Sequence, residues 1–372
     1  MKYVDAFRDG ELAKGLAAAI AREVQPGRQY RLMEFCGGHT HAIFRYGLPD
    51  LMPQQIEFVH GPGCPVCVLP AARIDQAIAL AEQAQVMLCV YGDLLRVPAG
   101  HRDSLQKARA RGADIRLVYS PQDALKLAQQ YPEQQIVFFA IGFETTTPPT
   151  AVVIKQAHQL QLRNFTVFCN HVLTPAAMRH LLSVDHDEDL VIDGFLGPSH
   201  VSTVIGSQPY EVFADTYAKP IVIAGFEPLD VMQSVFMLVR QLNSGRHVVE
   251  NQYTRAVSRE GNRKAQALVA EVFALRESFE WRGLGMVSES ALQISDAFAD
   301  YDAERRFTMP MLASADVKAC LCPSVLRGQH KPEDCSLFGS SCTPDHPMGA
   351  CMVSSEGACA AYWSYGRFRQ AA

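Results

Sequence analysis

A repeated pattern governs what this chain can become: a short apolar run, a turn that most often carries glycine, then an amphipathic stretch. Tyr30–Phe35 precedes CGGHTH, Ile56–His60 precedes GPGCPVC, and Val86–Tyr91 precedes GDLLRVP. Ile115–Tyr119 precedes SPQDALKLAQQ and Ile136–Ile141 precedes GFETTTPPTAVVIKQAHQL, while Thr166–Cys169 and Ile221–Ala224 continue the series. Strand-sized runs alternating with helical stretches predict βαβ units and mostly parallel sheets. Residues 3–22 place Val4, Phe7, Leu12, Leu16 and Ile20 near helical spacing, and the run Gln25–Arg28 (QPGR) ends that helix. Apolar spacing also predicts a helix from Arg263 to Leu275. Past Pro310 the text turns rich in cysteine, proline and glycine, which cannot build much core of its own, so a metal centre is a candidate staple. The expected fold is α/β: two domains with mostly parallel sheets flanked by helices, plus a cysteine-rich domain. The expected boundaries are an N-terminal helix over 1–28 packing on the C-terminal domain, then 29–118, 119–228 and 229–372.

The 372 residues are 48% hydrophobic and 20% charged, enough to bury several cores. Thirty-four Lys and Arg against thirty-nine Asp and Glu leave a net charge of −5, which offers no basic field for nucleic acid. No apolar run approaches a membrane span, and the first residues lack the continuous apolar core of a signal peptide. These features give the expectation of a cytoplasmic protein without nucleic-acid or membrane partners.

Eleven cysteines do not fit a bland cytoplasmic composition. Structural disulfides are rare in that compartment, so the count points to metal binding or thiol chemistry. Cys320, Cys322, Cys335, Cys342, Cys351 and Cys359 crowd the C-terminal region, the last five spaced C-x12-C-x6-C-x8-C-x7-C. Neither the short knuckles of zinc sites nor the C-x2-C-x2-C of ferredoxins occurs there. Wide spacing beside Pro323, Pro332 and Pro344 is that of loops wrapped around a compact group. Four thiolates suffice for a [4Fe–4S] cluster, and spacing alone leaves zinc equally open.

Cys36 follows a predicted strand and precedes Gly37-Gly38 and a helical stretch, where backbone N–H groups are expected to favour the thiolate. His39 and His41 stand beside it as candidates to assist a metal. Cys64-Pro65-Val66-Cys67 is a C-x-x-C between a strand and a helix, the setting of a redox dithiol or of half a metal site. Cys89 and Cys169 lie inside apolar runs and read as core. Glu144 with Thr145, His171, His200 and Glu227 fall at strand ends, where open α/β sheets place their clefts. No dinucleotide or P-loop signature occurs.

CGGHTHAIFRYGL (36–48), EFVHGPGCPVCVLP (57–70), GFETTTP (142–148), VENQY (249–253), EWRGLG (280–285) and MVSSEGACAAYW (352–363) resemble the HypD family of hydrogenase maturation factors over nearly the whole chain. The resemblance implies assembly of the Fe(CN)2CO unit of [NiFe]-hydrogenase with a small HypC-type chaperone and with HypE, which supplies cyanide from a carbamoyl-derived thiocyanate. It implies a [4Fe–4S] cluster on Cys322, Cys335, Cys342 and Cys359, with Cys320 and Cys351 outside the set. Cys36 would hold a transient mononuclear iron carrying CN and CO, shared with a thiolate of the chaperone. Cys64 and Cys67 would be the redox pair, and His41 with the strand-end residues would hydrogen-bond around that iron. Outside its complex the chain is expected to be a monomer. Two other readings use the same residues: a cluster-linked disulfide reductase acting through Cys64 and Cys67, and a zinc-stapled binding module.

Overall fold

The structure, a computed structural model, describes residues 5–183, 191–310 and 317–366. Two parallel sheets organise it. The first contains β1 (Tyr30–Glu34), β2 (Ile56–His60), β7 (Gly194–Gly197), β8 (Ile221–Ile223) and β9 (Val249–Asn251) in the order β2-β1-β7-β8-β9. The second contains β3 (Val86–Val90), β4 (Ile115–Leu117), β5 (Gln135–Gly142) and β6 (Phe165–His171) in the order β4-β3-β5-β6. Every pairing within both sheets is parallel. The second sheet is the more apolar: all five residues of β3 (VMLCV) are buried, as are all seven of β6 and all of β5 after Gln135. Strands covered by helices on both faces have this composition.

The chain leaves the first sheet after β2, builds the second sheet entirely, and returns for β7, β8 and β9. Position 118 therefore falls within the second sheet, and position 228 between β8 and β9 of the first. A βαβ pattern demands parallel neighbours without dictating their order, so boundaries along the sequence do not follow sheet membership.

Local chemistry starts and stops the helices. Asp9 accepts the N–H groups of Glu11 and Leu12 at the head of the helix Gly10–Glu23, which lays Ile20 into the core against the helix Pro228–Asn243. Ser120 and Asp123 form a reciprocal cap with Pro121 in the first turn of Pro121–Gln130. The helix expected over 263–275 ends at Val272. Phe273–Leu275 (β10) is a strand paired antiparallel with Leu292–Ile294 (β13), because Phe273 and Ile294 bury together against the second sheet.

A hairpin of Ser278–Trp281 (β11) and Gly285–Ser288 (β12) is pinned beneath the C-x-x-C turn. The Arg282 N–H donates to Val68 O at 2.7 Å and its Nε to Leu69 O at 2.9 Å, while Trp281 Nε1 donates to Ser290 Oγ at 2.9 Å. Residues 317–366 hold only short helical turns, as their composition predicts. They dock on the helix Gly37–Arg45 through an aromatic edge, Phe44 against Tyr362 at 5.1 Å, and Phe338 backs Tyr362 from within the region at 5.8 Å. No described helix is long and apolar enough to cross a membrane.

Candidate functional site

Both sheets point their carboxyl ends at one cavity of about 540 Å³. The turn after β1 contributes Cys36, the turn after β2 contributes Gly63, Pro65 and Val66, and the turn after β7 contributes His200. From the second sheet come Tyr91 and Asp93 after β3, and Phe143, Thr145 and Thr146 after β5. Ser354, Ser355 and Glu356 of the C-terminal region close the remaining side. Ligand sites of open parallel sheets lie at this end of the strands.

Cys36 takes an extended conformation (φ −150°) and caps the helix Gly37–Arg45. Its Sγ stands 3.9 Å from His200 Nδ1. Sequence position predicts a lowered thiol pKa here, and the structure reverses this: the Cys36 thiol is pushed up to about 12. Burial is the main cause, the carboxyl of Glu356 adds to it and Glu34 contributes, against weaker opposing N–H groups of Gly38 and His39. Desolvation outweighs a helix N-terminus when the sulfur is this deeply buried. Such a thiol keeps its proton until a cation displaces it, because a metal ion supplies the charge the site lacks. Burial and the neighbouring His39 lower the His200 pKa, leaving a neutral imidazole of the kind that binds metals. Glu356 is raised by burial and then by Asp93 and Glu34.

Cys64 and Cys67 form a disulfide with their Cα atoms 5.2 Å apart. Both are buried, and the Cys67 N–H donates to Cys64 Sγ at 3.2 Å. The turn that carries them lies directly against Cys36. Gly37 N–H donates to Gly63 O at 3.1 Å, and a Cβ on Gly63 would come within 2.5 Å of the Cys36 nitrogen.

The other expected residues divide by position. Thr145 and His200 line the cavity. His39 is buried behind the turn, its Nε2 3.0 Å from Ala224 O and 3.1 Å from Ser199 Oγ, and burial lowers its pKa. His41 turns away from the cavity to Tyr365, ring against ring at 5.2 Å. Glu144 lies behind its own turn and accepts from the Thr174 N–H at 2.8 Å and hydroxyl at 3.0 Å. Burial pushes its carboxyl up to about 7. His171 ends β6 buried, with Nε2 2.9 Å from Thr150 Oγ1, and burial lowers it to about 4. Glu227 caps the helix Pro228–Asn243 and pairs with Arg8. Cys89 and Cys169 are core, as expected. Glu34, Asp93 and Glu356 are functional carboxyls missing from the sequence-based candidates, although each lies within a stretch quoted above. A charged residue held on or beside a buried turn was the available signal.

In the C-terminal region the close neighbourhood of Cys322, Cys351 and Cys359 draws the Cys359 thiol down and pushes Cys351 up. A Cβ on Gly349 would lie 2.5 Å from Cys320 Sγ and 2.6 Å from Cys322 Sγ, so these thiols converge on that glycine. Cys342 Sγ accepts the Met348 N–H at 3.3 Å and is raised first by burial. Cys335 is buried, with Sγ 3.8 Å from Ala319 O. A buried, thiol-only donor set suits a soft metal group bound through thiolates. Among the described residues no three such side chains already share a single-ion site.

A family model described as "HypD: Hydrogenase formation hypA family" matches residues 11–366. The hydrogenase expression/formation protein HupD of Azotobacter chroococcum mcd 1 is 64% identical over all of this chain and 99% of its own length. Hydrogenase maturation factor HypD of Azotobacter vinelandii is 63% identical over all of this chain and 98% of its own. The factor of that name from Escherichia coli (strain K12) is 46% identical over 98% of both chains. With the model spanning nearly every residue and relatives aligned end to end, the chain belongs to the HypD family of hydrogenase maturation factors.

Proposed function

We propose that this protein assembles the Fe(CN)2CO unit of [NiFe]-hydrogenase, holding the iron substrate at Cys36 together with a thiolate of a HypC-type chaperone and receiving cyanide from HypE. The observation that carries the reading is the position of Cys36. It lies in a roomy cavity beside a neutral imidazole and against the Cys64–Cys67 turn. The thiol gives up its proton to solvent as the iron arrives, and His200, 3.9 Å from the sulfur, would bind or hydrogen-bond beside it. Freeing cyanide from a thiocyanate is reductive. As Cys64 and Cys67 close to the disulfide they release two electrons and two protons. The two electrons break the S–C bond of the thiocyanate: its sulfur takes one proton and stays behind as a thiol, its carbon leaves as cyanide, and the second proton passes to solvent. Burial of both sulfurs keeps the dithiol from bulk oxidants.

Cys322, Cys335, Cys342 and Cys359 would hold a [4Fe–4S] cluster, which would pass single electrons from an external one-electron donor; two of them, with two protons from solvent, would reopen the disulfide. The segment between Cys351 and Cys359 also supplies Ser354, Ser355 and Glu356 to the cavity, so one stretch of chain connects the cysteine-rich region with the space in front of Cys36. The test is Cys36→Ala in anaerobically produced protein. The variant is expected to keep the visible absorption of the cluster and to lose hydrogenase maturation, and normal maturation would refute the role.

A further inference from the structure

Glu34 ends β1 with 0% exposure, yet no step above uses it. Its carboxyl gathers donors from both reactive turns. Oε2 accepts the Cys36 N–H at 3.1 Å, and Oε1 accepts the Thr40 hydroxyl and His60 Nδ1, the latter at 2.8 Å. Where Glu34 Oε1 accepts in this pair, His60 donates through its Nδ1–H. Glu34 and His60 are partners in the parallel register of β1 and β2. His60, the last residue of β2, leads straight into Gly61-Pro62-Gly63-Cys64. Backbone bonds lace the same boundary: Gly61 N–H to Glu34 O at 2.9 Å, and Gly37 N–H to Gly63 O at 3.1 Å. Burying a carboxyl without partners costs more than any one of these bonds returns, so the arrangement persists because all of the donors are present together.

We propose that Glu34 and His60 are positioning residues that lock the Cys36 turn to the Cys64–Cys67 turn, so that opening the disulfide is transmitted to Cys36. When the disulfide opens, two sulfurs separate and the turn from Gly61 to Cys67 can shift. The Glu34–His60 link and the Gly63 backbone carry that shift to Cys36. Cys36 would then become most available when the dithiol is reduced and ready to act. This rests on the reading of Cys36 and the dithiol given above, and it is tested without hydrogenase.

The test measures the alkylation rate of Cys36 by iodoacetamide in the full-length anaerobic protein, at one pH, by mass spectrometry of the Cys36 peptide. Each protein is compared with the disulfide closed and after reduction by a phosphine. The phosphine takes oxygen from water as the S–S bond breaks, and the two sulfurs take the two protons. In the wild type Cys36 is expected to react roughly tenfold faster in the reduced state, the size of one hydrogen bond's net worth. Glu34→Gln sets an amide NH2 against existing donors, and His60→Leu removes the link, so in both the ratio is expected to fall to near one. His60→Asn restores a donor and is expected to recover part of the ratio. A merely structural role would change both rates together and leave the ratio alone. If Glu34→Gln does not fold, His60→Leu against His60→Asn decides. A wild-type ratio of one, or a full ratio in His60→Leu, overturns the proposal. Normal maturation by Cys36→Ala would instead remove the iron role and leave the alkylation ratio standing.

Discussion

Glu356 lies directly over Gly37. A Cβ on that glycine would meet Glu356 Cβ at 2.4 Å, its carbonyl oxygen at 2.8 Å and Oε2 at 3.0 Å. The cysteine-rich end of the chain thus closes over the turn that carries Cys36, and a hydrogen atom is all the room permits. Gly37→Ala is expected to displace the Ser354–Gly357 segment and cost roughly 2 kcal/mol, the range for overpacking a filled site. Thermal unfolding should show the loss, and maturation should fall with it. An unchanged melting temperature with full maturation would mean that Glu356 does not rest there.

Glu144 makes stability depend on pH. Its folded value of about 7 lies above the unfolded carboxyl near 4.3. A raised folded pKa gives stability that is complete below the unfolded value and lost as pH rises through the folded one. The loss across that window is roughly 3 kcal/mol. Glu144→Gln keeps an acceptor for the Thr174 N–H and cannot ionise, so urea unfolding at pH 5 and pH 8 should differ less in this variant than in the wild type.

Glu304 has the opposite sign. Burial raises it, but Arg73 at 2.7 Å and Arg276 overcome burial and hold it below the usual carboxylate range. Its stability is present above the unfolded value and lost as pH falls through the lowered folded one. Glu304→Gln leaves two guanidiniums facing each other without a counter-charge and is expected to cost roughly 3 kcal/mol at neutral pH. The difference from wild type should shrink in acid.

Cys351 is wholly buried among the C-terminal thiols but outside the proposed ligand set. Iron analysis of anaerobic protein is expected to find about four irons per chain in Cys351→Ala, as a [4Fe–4S] cluster requires, and a loss of iron in Cys359→Ala. Equal loss in both would place Cys351 among the ligands.

Much of the fold was legible because apolar runs and turns speak locally. Ile56–His60 matches its strand residue for residue, and the run at Val86 differs only at Tyr91. Gly194–Gly197 was not read, because two glycines around Phe195 and Leu196 carry little strand signal. The interleaving of the sheets was invisible because strand order is set by packing between distant segments. At the site, glycines and strand ends mark the turns bearing Cys36 and Thr145, while the His200 turn is marked by Gly197-Pro198 alone. The raised Cys36 thiol was not, because its cause, burial beneath Glu356 and beside Glu34, depends on chain far away or unremarked. GFET at Gly142 and GFEP at Gly225 share strand, turn and helix, yet Glu144 caps a neighbouring segment while Glu227 caps its own helix. A shared motif carried the local shape and left the partners to the tertiary fold.

The most direct test of the central claim is infrared spectroscopy of the anaerobic protein purified together with its HypC-type chaperone. Cyanide and carbonyl stretches fall clear of protein bands. The wild type is expected to show both, and Cys36→Ala to show neither while retaining cluster iron. Mononuclear iron bound to the wild type without those bands, or the same bands in Cys36→Ala, would contradict the assignment of Cys36 as the thiolate that holds the iron.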